Sequence, residues 1–368
     1  MKLLLFEWKK MFRLKVPIIL FLLTLICVSG LFIRNTMQQE LIKEKKIETF
    51  SKYKSQVTGK VMYYNELLKK VGNSQMEEEL TYLLPLVQEL EKLLEHVQQD
   101  RWKEEVETEI KVYELADHYE AKYTQSIMQI GKKDRQKESK LNNELLERGL
   151  PKEDLDLSLQ PAVFMKNVVS FFLAAPGFIV LLLLVGIVIT KEFEDSTIKM
   201  VYALPISRAT YTLVKFASLL VVGFVWLTLL FLLAYFLPTV FGPATEGDIF
   251  NYPLYTKEEA FMSTGTYVMQ AIVYSIGYVT FALALFLFLA FLIRNTIVTY
   301  VLVFFLLLGG VIVSKNGVDI FVSPFTYQQV DHVILNVSAY YPTGLVVLIA
   351  STVILLFVTV EMNRKRGI

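Results

Sequence analysis

One cysteine, Cys27, is all the thiol chemistry the 368 residues hold. A single thiol excludes an intrachain disulfide and a cysteine-built metal site, so any exterior domain must fold without covalent cross-links. That fits a bacterial surface better than a secretory pathway. Histidine is almost as scarce: His96, His118 and His332 show no metal-ligand spacing, and the first two read as surface residues. There is no GxxxxGK[ST] loop, no HExxH and no GxSxG. The sequence therefore lacks the phosphate cradle, the zinc pair and the exposed nucleophile on which many enzyme sites are built. Its formal net charge of +1 implies no bulk attraction to nucleic acid.

Apolar sequence is what the chain does have. Hydrophobic residues make up 54% and mean hydropathy is +0.45. Charged residues concentrate between Arg34 and Asp156, where apolar runs are short. Outside that stretch, six apolar runs cover about 16–33, 163–190, 212–237, 267–293, 296–313 and 344–360. Each reaches the ~17 residues a helix needs to cross ~30 Å of hydrocarbon. The first is too long for a signal-peptide core and no small-residue cleavage site follows it. The expected fold class is an all-α polytopic membrane protein of six transmembrane helices. It would have an interfacial helix at 1–15, a first span at 16–33, an extracellular helical domain at 34–160, and the remaining five spans in 161–368.

Basic residues set the expected orientation. With a cytoplasmic N-terminus, the inner segments hold Lys2, Lys9, Lys10, Arg13, Lys15, Lys191, Lys199, Arg208, Lys215, Arg294, Arg364, Lys365 and Arg366; the short outer ones hold Lys166, Lys257 and Lys315. Thirteen against three places both termini in the cytoplasm. In residues 1–15, Leu4, Leu5, Trp8, Met11 and Phe12 share a helical face with lysines around it, the pattern of a helix lying in the inner interface.

The insertion 34–160 is rich in Glu, Lys, Leu and Gln and predicts helices. Val61, Tyr64, Leu68 and Val71 form one stripe; Leu80, Leu83, Val87, Leu90, Leu94 and Val97 form another. Gly72-Asn73-Ser74 reads as a turn, Pro85 as a helix start or a kink, and Gly149-Leu150-Pro151 as a helix stop.

The loop between spans two and three, 191–211, is the most informative segment. It opens on Glu192, Glu194 and Asp195, expected in water at the inner end of span two. Asp195-Ser196-Thr197 predicts an N-cap for a short helix carrying Met200 and Leu204, stopped by Pro205. Ser207-Arg208 then starts the return to the membrane, with Lys215 further on. This stretch resembles the permeases of the type-2 ABC transporter family, in which a glutamate ends the second span, a Gly-Thr pair follows, and a Leu-x-x-Pro-x-Ser-Arg stretch precedes a lysine. Glu192, Thr197, Pro205, Ser207, Arg208 and Lys215 fit; Ser196 stands where the family usually has glycine.

The resemblance implies the membrane subunit of an ATP-driven exporter in a bacterial cell membrane, moving a peptide, drug, lipid-like or ionic cargo. It implies no cofactor on this chain, with ATP and Mg on two copies of a separate ATP-binding subunit. It also implies a second permease chain, as homodimer or heterodimer, and membrane lipids around the assembly. The 191–211 loop would be the contact that transmits the motor's stroke. Gln270, Tyr274 and Tyr278 share a face of span four and are candidates to line a path, or members of an interfacial aromatic belt. A different class of function, a membrane-anchored sensor or scaffold with a ligand-binding exterior domain, would not need the acidic and Pro-Ser-Arg loop.

Overall fold

A computed structural model describes residues 2–365 except Val71, Ala174, Ser196, Thr197, Lys199, 201–204, Thr245, Glu246 and 316–320. The chain forms two compact units. One comprises Met1–Ile33, Leu159–Pro243 and Leu254–Ile368; the other comprises Arg34–Ser158 and Ala244–Pro253.

The first unit begins with α1 (Lys2–Arg13). Lys15, in the left-handed region at φ 55°, turns the chain into α2 (Val16–Leu68). The first apolar run is thus only the start of a 53-residue helix. Pro17 sits in its first turn, where the missing N–H costs nothing, and beyond Ile33 the Glu, Lys, Gln and Leu residues sustain helix as well as apolar ones do.

The expected single span at 163–190 is two helices, α6 (Pro161–Phe172) and α7 (Ala175–Glu194). The cause is Pro176, which has no N–H to give the carbonyl four residues earlier and so starts a helix more readily than it continues one. Pro238 has the opposite outcome. It follows directly on the apolar run 212–237, yet it lies inside α8 (Arg208–Phe241), and the helix runs three residues further before Gly242 caps it on the Pro238 carbonyl at 2.8 Å.

The core of this unit is α9 (Thr264–Ile293), in which seven consecutive residues, Phe281 to Leu287, are buried. A helix buried all round is central by necessity, and α9 packs against α6, α7, α8, α10 (Thr296–Lys315) and α12 (Tyr340–Lys365). Arg294 in the left-handed region (φ 56°) and Asn295, whose Oδ1 accepts from Val298 N at 3.1 Å, make the two-residue turn from α9 to α10. Two short helices follow, a 3-10 turn at Pro324–Tyr327 and α11 (Val330–Ile334). A small hairpin, β1 (Pro253–Tyr255) with β2 (Phe261–Ser263), precedes α9. Among the described residues, α2, α8, α9 and α12 are long and apolar enough to cross a membrane; Pro161–Phe172 and Thr296–Ile312 are shorter apolar helices.

The second unit is a helical bundle of the later part of α2 with α3 (Ser74–Gln98), α4 (Trp102–Tyr123) and α5 (Lys132–Arg148). Asn73 caps α3, accepting from Gln75 N at 2.9 Å. Pro85 neither starts nor stops that helix. The buried stripe of α3 is Leu80, Leu83, Leu86, Leu90, Leu93 and Val97, with Val87 and Leu94 half-buried beside it. It meets Phe50, Tyr53, Val57 and Val61 of α2 and Val112, Tyr113, Ala116 and Tyr119 of α4. Each such leucine contributes about 1.5–3 kcal/mol by leaving water. Gly149, at φ 65°, ends α5 in a conformation glycine adopts without a Cβ penalty.

Candidate functional site: a buried charge cluster flanking the 195–207 loop

Glu7 is the single acid of the N-terminal helix, and with Lys10 and Met11 it occupies one face of α1 at spacings of three and four. That face packs on α8, leaving Leu5, Phe6 and Phe12 exposed on the other side. On α8, Tyr211 and Lys215 are one turn apart and both buried. Glu192 comes from the last turn of α7.

These side chains converge. Lys215 Nζ lies 2.7 Å from Glu7 Oε2 and 2.7 Å from Glu192 Oε1. Lys10 pairs with Glu192 Oε1 and also donates to the Val188 carbonyl at 3.3 Å. The Tyr211 hydroxyl donates to Glu192 Oε2. Glu7, Glu192 and Lys215 are 2%, 5% and 1% exposed, so the expectation of Glu192 standing in water is overturned. Its neighbours explain why. Two lysines and a phenol supply the hydrogen bonds that water would have supplied, and two acids balance two bases. Burial, with Lys215 close by, pulls the Lys10 ammonium down from its ordinary value. Phe291 of α9 closes the site with edge-on contacts to Phe193 and Tyr211.

Glu192 and Lys215 stand at the two ends of the loop predicted to contact a partner. Of the other residues predicted there, Glu194, Asp195, Pro205 and Ser207 are exposed and Arg208 is half-buried. Met200 is 74% exposed. Thr197 and Leu204 lie outside the described residues, as does most of the short helix expected between them. Ser207 caps α8, its Oγ accepting from Thr210 N at 3.0 Å. Asn363 of α12 donates to Thr212 Oγ1 at 2.9 Å and to the Arg208 carbonyl at 3.4 Å, tying the last helix to the first turn of α8. Glu7, Lys10, Tyr211 and Asn363 were not singled out from sequence as site residues. The one available signal was an acid set among the basic and apolar residues of α1.

The three residues considered for a path lie together on α9. Tyr274 and Tyr278 are fully buried. Tyr274 donates to the Tyr327 carbonyl at 2.9 Å and its ring lies 5.8 Å from that of Tyr341. Gln270 is half-buried. One turn earlier, Tyr267 and Ser170 of α6 both donate to Asp331 of α11, with Lys166 Nζ 3.8 Å from the same carboxylate.

The chain matches the family model described as ABC-2 family transporter protein over residues 1–361. No curated protein matches it.

Proposed function

This chain belongs to the ABC-2 transporter family, a membrane transport component that implies an associated ABC ATP-binding subunit, and on that premise we propose that it is the permease of an ATP-driven exporter. Six spans cross a bacterial cell membrane with both termini inside: α2 up to about residue 33, α6 with α7, α8, α9, α10 and α12. Two permease chains pair, and two ATP-binding subunits dock beneath them, carrying the ATP and Mg. The cargo is a peptide, a drug, a lipid-like molecule or an ion, and Gln270, Tyr274 and Tyr278 contribute to its path.

The observation that carries this reading is the placement of Glu192 and Lys215. A push from a soluble motor does work on transmembrane helices only through an element fixed at both ends. Glu192 on α7 and Lys215 on α8 join the two helices that flank residues 195–207, and the same ion pairs recruit α1. A force on the loop therefore reaches three helices together. Glu194, Asp195 and Met200 remain exposed for the partner.

An apolar anchor such as Met200 contributes about 1.5–3 kcal/mol when buried, an exposed ion pair about 0–1. With the full complex in nanodiscs, Met200→Asp is expected to weaken retention of the ATP-binding subunit about tenfold or more. Glu194→Gln is expected to change it by less than about fivefold. Unchanged co-purification and unchanged cargo-coupled ATP hydrolysis in Met200→Asp would overturn the docking role.

A further inference from the structure

The second unit contains a groove of about 1080 Å³, lined on one side by α2 from Gln39 to Phe50. At 1.5 Å per residue that wall is roughly 16–18 Å long, the reach of about five extended residues. Its lining combines two chemistries. The floor is apolar, with Ile47, Phe50, Val97, Tyr113 and Ile130. Around it stand nine carboxylates and four lysines.

Three of those lysines are already engaged. Lys43 pairs with Asp100 at 2.7 Å, Lys46 with Glu105 and Glu109, and Lys152 with Glu109 at 2.9 Å and Glu138 at 2.6 Å. Glu40, Glu44, Asp134, Glu153 and Asp154 have no ion pair among the described residues. Glu109, on the wall and 2% exposed, accepts from Tyr113 and Lys152 through Oε1. Its Oε2 takes no hydrogen bond, and the nearest cation, Lys46 Nζ, stands off at 3.7 Å. Glu153 accepts from Ser158 Oγ at 2.8 Å and has no cation on it among the described residues, and burial pushes its carboxyl above the usual range.

We propose that this groove binds a cationic amphipathic peptide. Its ammonium or guanidinium groups lie on the unpaired carboxylates and its apolar side chains on the Phe50–Val97–Ile130 floor. Charge alone would suit any polyamine. The apolar floor selects a ligand that also carries hydrophobic side chains, and the length of the α2 wall selects a chain over a compact molecule. The inference needs no ATP and no knowledge of the cargo, so it stands or falls apart from the exporter reading.

The test uses the full chain in phosphatidylcholine nanodiscs without nucleotide, with empty nanodiscs subtracted. The probe is a fluorescein-labelled heptapeptide of alternating lysine and leucine, followed by fluorescence anisotropy. Saturable binding is expected, with at least a tenfold higher Kd for Glu40→Gln/Glu44→Gln/Asp134→Asn. All three positions are exposed, and the melting temperature is expected to match that of the parent. A lysine–serine peptide of equal charge, and spermidine, are expected to bind at least tenfold more weakly. Equal affinity of the triple variant, or equal binding of a glutamate–leucine peptide, overturns the proposal. Full competition by spermidine overturns the amphipathic class.

Discussion

The two units handle charge in opposite ways. In the first, ionised side chains are sparse, and most of those inside the protein are gathered where Glu7, Lys10, Glu192 and Lys215 neutralise one another around Tyr211, with Lys166 and Asp331 as a smaller second pair. In the second, ion pairs are spread along every helix, many of them at the surface: Lys54 with Glu91, Lys122 with Glu78, Arg148 with Glu144. A group in water needs no partner, so surface pairs contribute little and tolerate loss. A charge held among apolar helices needs every partner it has, because removing one leaves another uncompensated. The comparison separates charge that holds a device together from charge that presents a surface.

The sharpest way to break the first arrangement is Lys215→Met. It leaves Glu7 and Glu192 buried with one quarter-exposed lysine between them, and a loss of about 3–5 kcal/mol is expected. Thermal unfolding followed by size exclusion in detergent reads this. The double change Lys215→Met/Glu7→Gln is expected to recover much of the stability, since Lys10 and Glu192 then remain as one balanced pair. If Lys215→Met alone melts like the parent, the cluster is not what joins α1, α7 and α8.

A somewhat smaller effect distinguishes the deepest pair of the second unit from its surface pairs. Burial pushes the Glu109 carboxyl up, but Lys152 and Lys46 beside it outweigh that and hold it down at about 2. A carboxylate with a depressed folded-state pKa adds stability that is fully present above its unfolded value near 4.5 and is lost as pH falls toward 2. The full loss is about 3 kcal/mol. Trp102 is the sole tryptophan of this unit, so its fluorescence in a Trp8→Phe/Trp226→Phe background follows denaturant unfolding there. The midpoint is expected to drop between pH 5 and pH 2.5, with a shallower drop in Glu109→Gln. An identical pH dependence in that variant would reassign the acid sensitivity to other carboxylates.

The smallest effect probes the rim of the charge cluster without touching it. Ser207→Ala removes the cap of α8, with a cost of about 1 kcal/mol. Hydrogen exchange of the first turn of α8 is expected to quicken, while protection around Lys215, two turns on, is expected to stay. Loss of protection at both would show that the cap and the cluster act as one unit.

Local physics accounts for most of the helices. Apolar runs of the right length, the turn at Gly72-Asn73-Ser74, Gly149 as a stop and the 3,4 spacing of leucines on α3 are all properties of neighbours in the chain, and sequence carries them directly. Proline was legible only in part. Pro176 and Pro238 carry the same intrinsic disruption, yet one marks a break and the other sits inside a continuous helix. The 191–211 loop was recognisable from its composition, since acids, a proline and a Ser-Arg pair between apolar runs stand out against the background. The environment of Glu192 was not. The residues that bury it lie 185, 182, 19 and 23 positions away, at Glu7, Lys10, Tyr211 and Lys215, and no local pattern announces a partner at that distance. Sequence by itself determined which segments are helical and apolar, and which loop carries the charge. Only the tertiary structure decided that one of those charges turns inward, because the dielectric around a carboxylate is set by whatever packs against it and not by its neighbours in the chain.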